Sequence, residues 1–327
     1  MHTLLGLSSL LLIVFGSYLT LSLLDGLSEW SQRRTIQVFI LSSPLASLGL
    51  SIGGLHHFFG RICLLPTPSW DYLLGVVLPL GMGLVALGAL GLGVVRLALM
   101  RRLVARSGVS AGPELQALAD RLAQRLGATR SQMLLSPYDR PLALTCGTFR
   151  PTVLLSTWMV EHLDPRELEA VITHELAHVV RRDYLVIWLA TVLRDAFFYL
   201  PTSRAAYRQL QREKELACDD LAVGVTDRPL ALASALAKVW LHALDGLQFN
   251  RYTIAQPLVG GNKSINDRIE RLLNRPRPTK SMASSRKVVL GINALALLAL
   301  VIVQVTNFTV VLASMGCNPL ALFWKLF

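Results

Sequence analysis

Cysteine is scarce in this chain, and no two cysteines stand close together. Cys63, Cys146, Cys218 and Cys317 are the only four in 327 residues, and no C-x-x-C pair occurs. That leaves no dithiol redox motif and no cysteine-built zinc ribbon. A bridge between Cys63 and Cys317 would need both on the outer side of a membrane, and nothing in their spacing supports one. No internal repeat is evident. The first apolar stretch has no Lys or Arg ahead of it and no small-residue cleavage site after it, so it reads as a retained span rather than a secretory signal. Acidic residues are few as well. There are 21 against 32 Lys and Arg, for a net charge of +11. Much of that excess lies beside apolar stretches, where anionic lipid and topology account for it, so nucleic-acid binding is not expected.

Apolar sequence is what the chain has in quantity. Hydrophobic residues make up 53% of it and the mean hydropathy is +0.48, too apolar for an ordinary soluble enzyme. Leu4–Leu24, Ile36–Phe58, Leu73–Val95 and Val288–Leu312 are each long enough to cross a bilayer. The second is interrupted by Pro44, and the third is rich in glycine, which suits close helix packing. Asn293, Gln304 and Asn307 in the fourth would face other helices rather than lipid. Three basic clusters then fall on one side: Arg33 and Arg34; Arg96, Arg101, Arg102 and Arg106; and Arg275, Arg277, Lys280, Arg286 and Lys287. The positive-inside rule makes that side the cytoplasm. The expected organisation is three transmembrane helices in residues 1–100, a cytosolic domain in 101–287, and a fourth transmembrane helix with a short tail in 288–327. The loop Gly60–Tyr72 would lie outside, in a multi-pass protein of the plasma membrane.

Within the cytosolic stretch, Pro113–Leu126 has helical spacing of Leu115, Leu118, Leu122 and Leu126. Met133–Leu135, Leu142–Cys146 and Thr152–Ser156 read as short strands, the last two as a pair joined through Gly147 and Pro151. Such a sheet edge could accept an extended peptide as an added strand, or the sheet could serve only as support. A helix follows over Pro165–Arg182, with Asp164 as its N-cap. Tyr184–Leu200 is apolar but carries Arg194 and Asp195, so it reads as a buried or membrane-contacting helix. Further helices are expected over Leu210–Val223, Pro229–Leu244 and Asn266–Leu273, ahead of a proline-containing linker.

The second of these helices, Pro165–Arg182, carries the chemistry. In His174-Glu175-Leu176-Ala177-His178 the two histidines are four residues apart and share a face, so both imidazoles can aim at one cation. Glu175 stands beside them, where it can take a proton from water. A catalytic zinc commonly has three protein ligands and an open position. Glu215 is the best third ligand, and Asp219, four residues on, can accept the free ring N–H of His174 or His178 and fix its tautomer. Glu213 lies about 200° round the helix from Glu215, so the two cannot both face the metal. Cys218 is expected to point away from this face as a small packed residue. Asp183 either braces the helix end, pairs with Arg181 or Arg182, or is solvated. His242 and Arg268 are candidate donors to an oxyanion. Two imidazoles and one carboxylate suit one Zn2+ per chain.

These residues together resemble the BlaR/MecR-type integral-membrane metallopeptidases, the beta-lactam sensor-transducer family. The resemblance runs through Leu163-Asp164-Pro165-Arg166-Glu167-Leu168, His174–His178, Arg181-Arg182-Asp183 and Glu215-Leu216-Ala217-Cys218-Asp219. The broader HtpX/Ste24 group is also similar. The resemblance implies a mainly α multi-pass membrane protein, with an α+β gluzincin-like peptidase domain whose small sheet is inserted between transmembrane helices. It implies zinc held by His174, His178 and Glu215, and Glu175 as catalytic base. Sensor members carry a penicillin-binding domain after the last span. Here only Gly316–Phe327 follows it, so direct antibiotic sensing by this chain is not expected. The expected substrate is a protein, either a transcriptional repressor or a membrane protein. The alternatives are membrane-protein quality control and a catalytically silent signalling scaffold, and the intact Glu175 argues against the scaffold.

Overall fold

A computed structural model describes residue 37 and residues 77–147, 150–247 and 262–274. The first, second and fourth expected spans, the loop Gly60–Tyr72, the basic clusters at 33–34 and 275–287, and Cys63 and Cys317 lie outside the described residues. The chain divides into two compact units. One is built on Val94–Leu189 with Leu210–Thr279, and the other includes Ala190–Gln209 and residues up to Gly93.

The third span is described as part of a longer helix, α1 (Leu78–Ser107). The arginines from Arg96 onward are good helix formers and do not end it. Its Leu80–Ser107 part has a mean hydropathy of 2.0 over its most apolar window, long and apolar enough to cross a membrane. Among the described residues it is the one helix that meets this measure. Gly108 ends the helix where it meets the sheet. A Cβ there would lie 2.7 Å from Leu134 Cδ1, so a larger residue would require the Leu134 side chain to shift.

Four short strands follow: β1 (Val109–Ser110), β2 (Gln132–Ser136), β3 (Ala143–Cys146) and β4 (Thr152–Ser156). They form one mixed sheet in the order β1-β2-β4-β3, with β2 and β4 parallel and the outer pairs antiparallel. Leu134 is in register with Leu154, and Leu154 with Leu144. Because side chains alternate along a strand, these leucines and Cys146 share one face. There they pack with Val104 of α1 and with Tyr184. Met133, Val153, Leu155 and Ala143 share the other face and enter the main core.

That core is roofed by helices: α2 (Pro113–Leu126), α3 (Thr157–His162), α4 (Pro165–Arg181) and α7 (Pro229–Leu247). Proline opens α2, and Gly127, at φ 67°, closes it by donating its N–H to the carbonyls of Ala123 and Gln124. Three further helices complete the described chain: α5 (Asp183–Ala196), α6 (Pro201–Thr226) and α8 (Asn262–Leu273). Ala170 of α4, Ala222 and Val223 of α6, Leu232 and Ala233 of α7 and Leu272 of α8 form a second small core. Its alanines let the helices approach closely, and this packing brings the polar faces of α4, α6 and α8 together.

The element α4 has the clearest local code. Asp164 accepts hydrogen bonds from the N–H groups of Arg166 and Glu167, and Glu167 accepts one from the Asp164 N–H at 2.9 Å, a complete capping box. Arg182, in the left-handed conformation at φ 53°, ends the helix. Ile172 and Leu176 are fully buried. Each contributes about 2 kcal/mol of hydrophobic stabilisation, which helps offset the cost of burying His174 and Glu175 on the same helix.

Candidate metal centre

His174, Glu175 and His178 come from the middle and end of α4, Glu215 and Asp219 from α6, and Arg268 from α8. His174 Nε2 lies 3.4 Å from Glu215 Oε2, and His178 Nε2 lies 4.0 Å from Glu215 Oε1. The two imidazole rings stand edge to face, 4.9 Å between centres. One ligand atom from each of His174, His178 and Glu215 can be chosen so that all lie within 4.8 Å of one another. Ligands about 2.0–2.1 Å from a tetrahedral zinc would be roughly 3.3 Å apart, so small adjustments bring these three onto one ion.

The bonding state of these atoms points the same way. His174 Nδ1 is 2.9 Å from Asp219 Oδ1 and Glu215 Oε2 is 3.2 Å from Arg268 Nη1 as ion pairs, yet neither His174 nitrogen nor Glu215 Oε2 makes a hydrogen bond of good geometry, and all three atoms are buried. Buried polar atoms without partners are costly. A cation between His174 Nε2 and Glu215 Oε2 would satisfy both. The donor set of two imidazoles and a carboxylate therefore fits a divalent zinc ion.

Electrostatics hold the carboxylate ready. Burial works to raise the Glu215 pKa, but the Lys214 ammonium 2.7 Å from Oε1, His174 and the Arg268 guanidinium outweigh it, and Glu215 sits well below the usual carboxylate range. Burial works to lower His174, but Asp219 and Glu215 raise it to about 9.

Each histidine is oriented through its other nitrogen. Asp219 faces His174 and is gripped by Arg268, through Nε at 2.8 Å and Nη2 at 2.7 Å. This two-point clamp is the strong form of an ion pair. Asp183 Oδ2 lies 3.0 Å from His178 Nδ1 and accepts from Arg181 Nε at 3.1 Å. A carboxylate behind a metal-binding imidazole fixes its tautomer and ring plane.

Glu175 is buried, and its Oε2 accepts a hydrogen bond from the Thr145 hydroxyl at 2.7 Å. Thr145 is on β3, and the strand alternation that sends Ala143 into the core sends Thr145 toward α4. Glu175 is thereby tied to β3, one of the two outer strands of the sheet among the described residues.

The five sequence-predicted residues, His174, Glu175, His178, Glu215 and Asp219, come together, and Asp219 meets His174 rather than His178. One expectation needs correction. Cys218 is buried as expected, but it does not point away from the site. Its Sγ lies 3.1 Å from His178 Nδ1 and 3.4 Å from Asp183 Oδ2, because His178 approaches α6 at the end of α4, past the Glu215 face. Arg268 directs Nε and Nη2 to Asp219 and Nη1 to Glu215 Oε2 at 3.2 Å. His242 is packed against the Trp158 ring at 4.6 Å. Asp183 takes the bracing role rather than the solvated one. Sequence reasoning missed Thr145 and Lys214. Adjacency to Glu215 was the only signal for Lys214, and strand alternation the only one for Thr145.

Residues 70–272 match the model of the BlaR1 peptidase M56 family. The chain belongs to that family. It is also 32% identical over 162 residues to Protease HtpX homolog 1 of Streptomyces coelicolor, covering 39% of this chain and 53% of that protein. Protease HtpX homolog of Moorella thermoacetica is 31% identical over 163 residues, covering 39% of this chain and 54% of that protein. The methicillin resistance mecR1 protein of Staphylococcus aureus is 24% identical over 163 residues, covering 49% of this chain and 27% of that protein. The chain thus spans about half the length of the first of these relatives and about a quarter of the last.

Proposed function

We propose that this chain is an integral-membrane zinc endopeptidase that hydrolyses peptide bonds of a protein substrate at the cytoplasmic face of the membrane. The observation that carries the reading is the convergence of His174, His178 and Glu215 within 4.8 Å, with Glu175 one residue from the first ligand. His174, His178 and Glu215 would hold the ion. Zinc, when bound, supplies Lewis acidity toward a carbonyl and acidifies water.

The rest of the chemistry belongs to the protein. Glu175 takes the proton of the attacking water and returns it to the leaving amine. The Thr145 hydroxyl fixes the Glu175 carboxylate plane, so the proton acceptor does not swing away. Asp219 and Asp183 keep both imidazoles in the orientation that presents Nε2. Among the described residues β3 pairs only with β4, which leaves its outer edge available for an extended substrate strand, bound mainly through main-chain hydrogen bonds. Such binding tolerates many side chains, so selection would come from access and from the partner's location.

The length and hydropathy of α1 support membrane residence, with the organisation 1–100, 101–287 and 288–327. The likeness to HtpX homologs favours a second substrate class, membrane proteins under quality control, beside cleavage of a regulator such as a transcriptional repressor. Glu175→Gln is expected to keep stoichiometric zinc and to cut turnover by a factor of about 10²–10⁴. Metal analysis of the purified full chain and a peptide-cleavage assay test both halves, and full activity of the variant refutes the assignment. Comparing the proteins that accumulate in cells carrying Glu175→Gln and wild type separates one target from many.

A further inference from the structure

A cleft of about 460 Å³ opens on the face of the sheet turned away from the metal site. Arg101 and Val104 of α1 form one wall. Gln132 and Leu134 of β2, Cys146 of β3 and Arg150 form the rest. Its volume is that of a small-ligand site. The walls are mostly apolar, while Arg101 and Arg150 are both exposed and bring two positive charges to one opening. Gly147 also lines the cleft, and its φ of 89° is one a side chain would not tolerate. A Cβ there would run into the Arg150 carbonyl, so this edge of the cleft depends on glycine.

The position of the cleft along α1 says what it meets. From Leu78 to Arg96 the helix rises roughly 27 Å, close to the thickness of a hydrocarbon core of about 30 Å. Arg96 is the first charge, and Arg101 comes little more than one turn later. Arg101 is therefore at the level of lipid headgroups when the helix spans a bilayer. An apolar cleft with two guanidinium groups at that depth suits a phosphate with an apolar body attached. Guanidinium matches phosphate by paired hydrogen bonds, and the apolar walls suit the glycerol and first acyl carbons.

The geometry points to a binding site in this cleft for the phosphate headgroup of an anionic phospholipid, held by Arg101 and Arg150. The site is separate from the proposed metal centre, although the two share β3: Cys146 and Gly147 line the cleft, and Thr145, the preceding residue, holds Glu175.

The test uses the full chain in bilayer discs of phosphatidylcholine and phosphatidylglycerol, followed by mass measurement of the lipid retained after extraction. The wild type is expected to retain phosphatidylglycerol in preference to phosphatidylcholine. Arg101→Gln and Arg150→Gln are each expected to lower retention about fivefold, the loss that removing one arginine near anionic lipid implies. Arg150→Lys, which keeps the charge but not the paired hydrogen bonds, is expected to recover part of it, with the thermal midpoint unchanged. Arg102→Gln, a neighbouring arginine outside the cleft, is the control and is expected to leave retention near the wild-type level. If Arg102→Gln costs as much as Arg150→Gln, the binding is unspecific attraction to the basic helix end and the proposal is overturned. It is equally overturned if the double variant Arg101→Gln/Arg150→Gln retains the lipid. Titration with inorganic phosphate separates the two sources of the group. Displacement of lipid only at concentrations far above those of the lipid supports the headgroup, whereas tight phosphate binding indifferent to phosphatidylglycerol overturns it.

Discussion

His174 and His178 are equivalent in the sequence motif and held very differently in the fold. His174 is buried, and the carboxylate behind it, Asp219, is gripped by Arg268 from a third helix. That brace ties α4, α6 and α8 together. His178 is only partly buried, and its carboxylate, Asp183, is the first residue of α5, five positions along the chain. Its clamp, Arg181, is the last residue of α4. One imidazole is therefore oriented by tertiary packing, the other by the way one helix ends and the next begins. Damage to the first is expected to spread through the domain, and damage to the second to stay local.

Replacing the two arginines is the strongest way to break this contrast. Arg268→Met leaves Asp219 and Glu215 buried beside one another without their shared cation, and is expected to cost about 3–5 kcal/mol of stability. Arg181→Met, at the chain-local brace, leaves Asp183 its contacts with His178 and Cys218 and is expected to cost less, about 1–2 kcal/mol. Denaturation of both variants in the same detergent reads the difference, and equal losses would mean the two braces are alike after all. Metal affinity sharpens the comparison. Asp219→Asn and Asp183→Asn are each expected to weaken zinc binding by about 10–100-fold, with Asp219→Asn at the upper end because it also strands Arg268. Competition with a chromophoric chelator measures both. Thr145→Val should leave metal content alone and lower turnover about tenfold, the value of one hydrogen bond to a charged group. A change in metal content instead would place Thr145 in the fold and not behind Glu175.

The same contrast explains what could be read from the sequence. His174, Glu175 and His178 are legible because their spacing is a property of one helix. Glu215 and Asp219 are legible because they repeat that spacing on a second. The α4 cap was readable from Asp164-Pro165-Arg166-Glu167, since all of its bonds are local. Arg268 was visible only as a candidate oxyanion donor, because its pairing with Asp219 exists only once α8 packs on α6. The role of Asp183 depends on Arg182 adopting a left-handed turn, which reverses the chain back toward His178. Strand alternation put Thr145 on a definite face, but tertiary packing decides which face meets α4. The reading of Cys218 failed for a similar reason: helical angle gave its direction on α6, not what α4 brings to that side. The start of α6 at Pro201 and the continuation of α1 to Ser107 were missed because neither boundary carries a change in hydrophobic period.

The smallest expected effect lies at the opposite end of α4, where the brace is a cap rather than a clamp on a histidine. Burial works to raise the Glu167 carboxyl, but Lys238 of α7, the Ser234 hydroxyl and the Asp164 N–H outweigh it and hold the group below its ordinary value. A carboxyl lowered in the folded state stabilises the fold while it is ionised, above its unfolded pKa, and that stability is lost as pH falls through the folded value. Lys238 is substantially exposed, so solvent weakens the pair and the contribution is about 1 kcal/mol. Between about pH 5 and pH 3 the wild type should therefore lose more stability than Lys238→Met, in which the Glu167 carboxyl returns toward its ordinary range. Thermal midpoints of the two proteins across that window measure the difference. Parallel curves would assign the acid sensitivity to other carboxylates, the Asp219–Arg268 clamp first among them, and so return the weight of the domain's charge pairing to the His174 side.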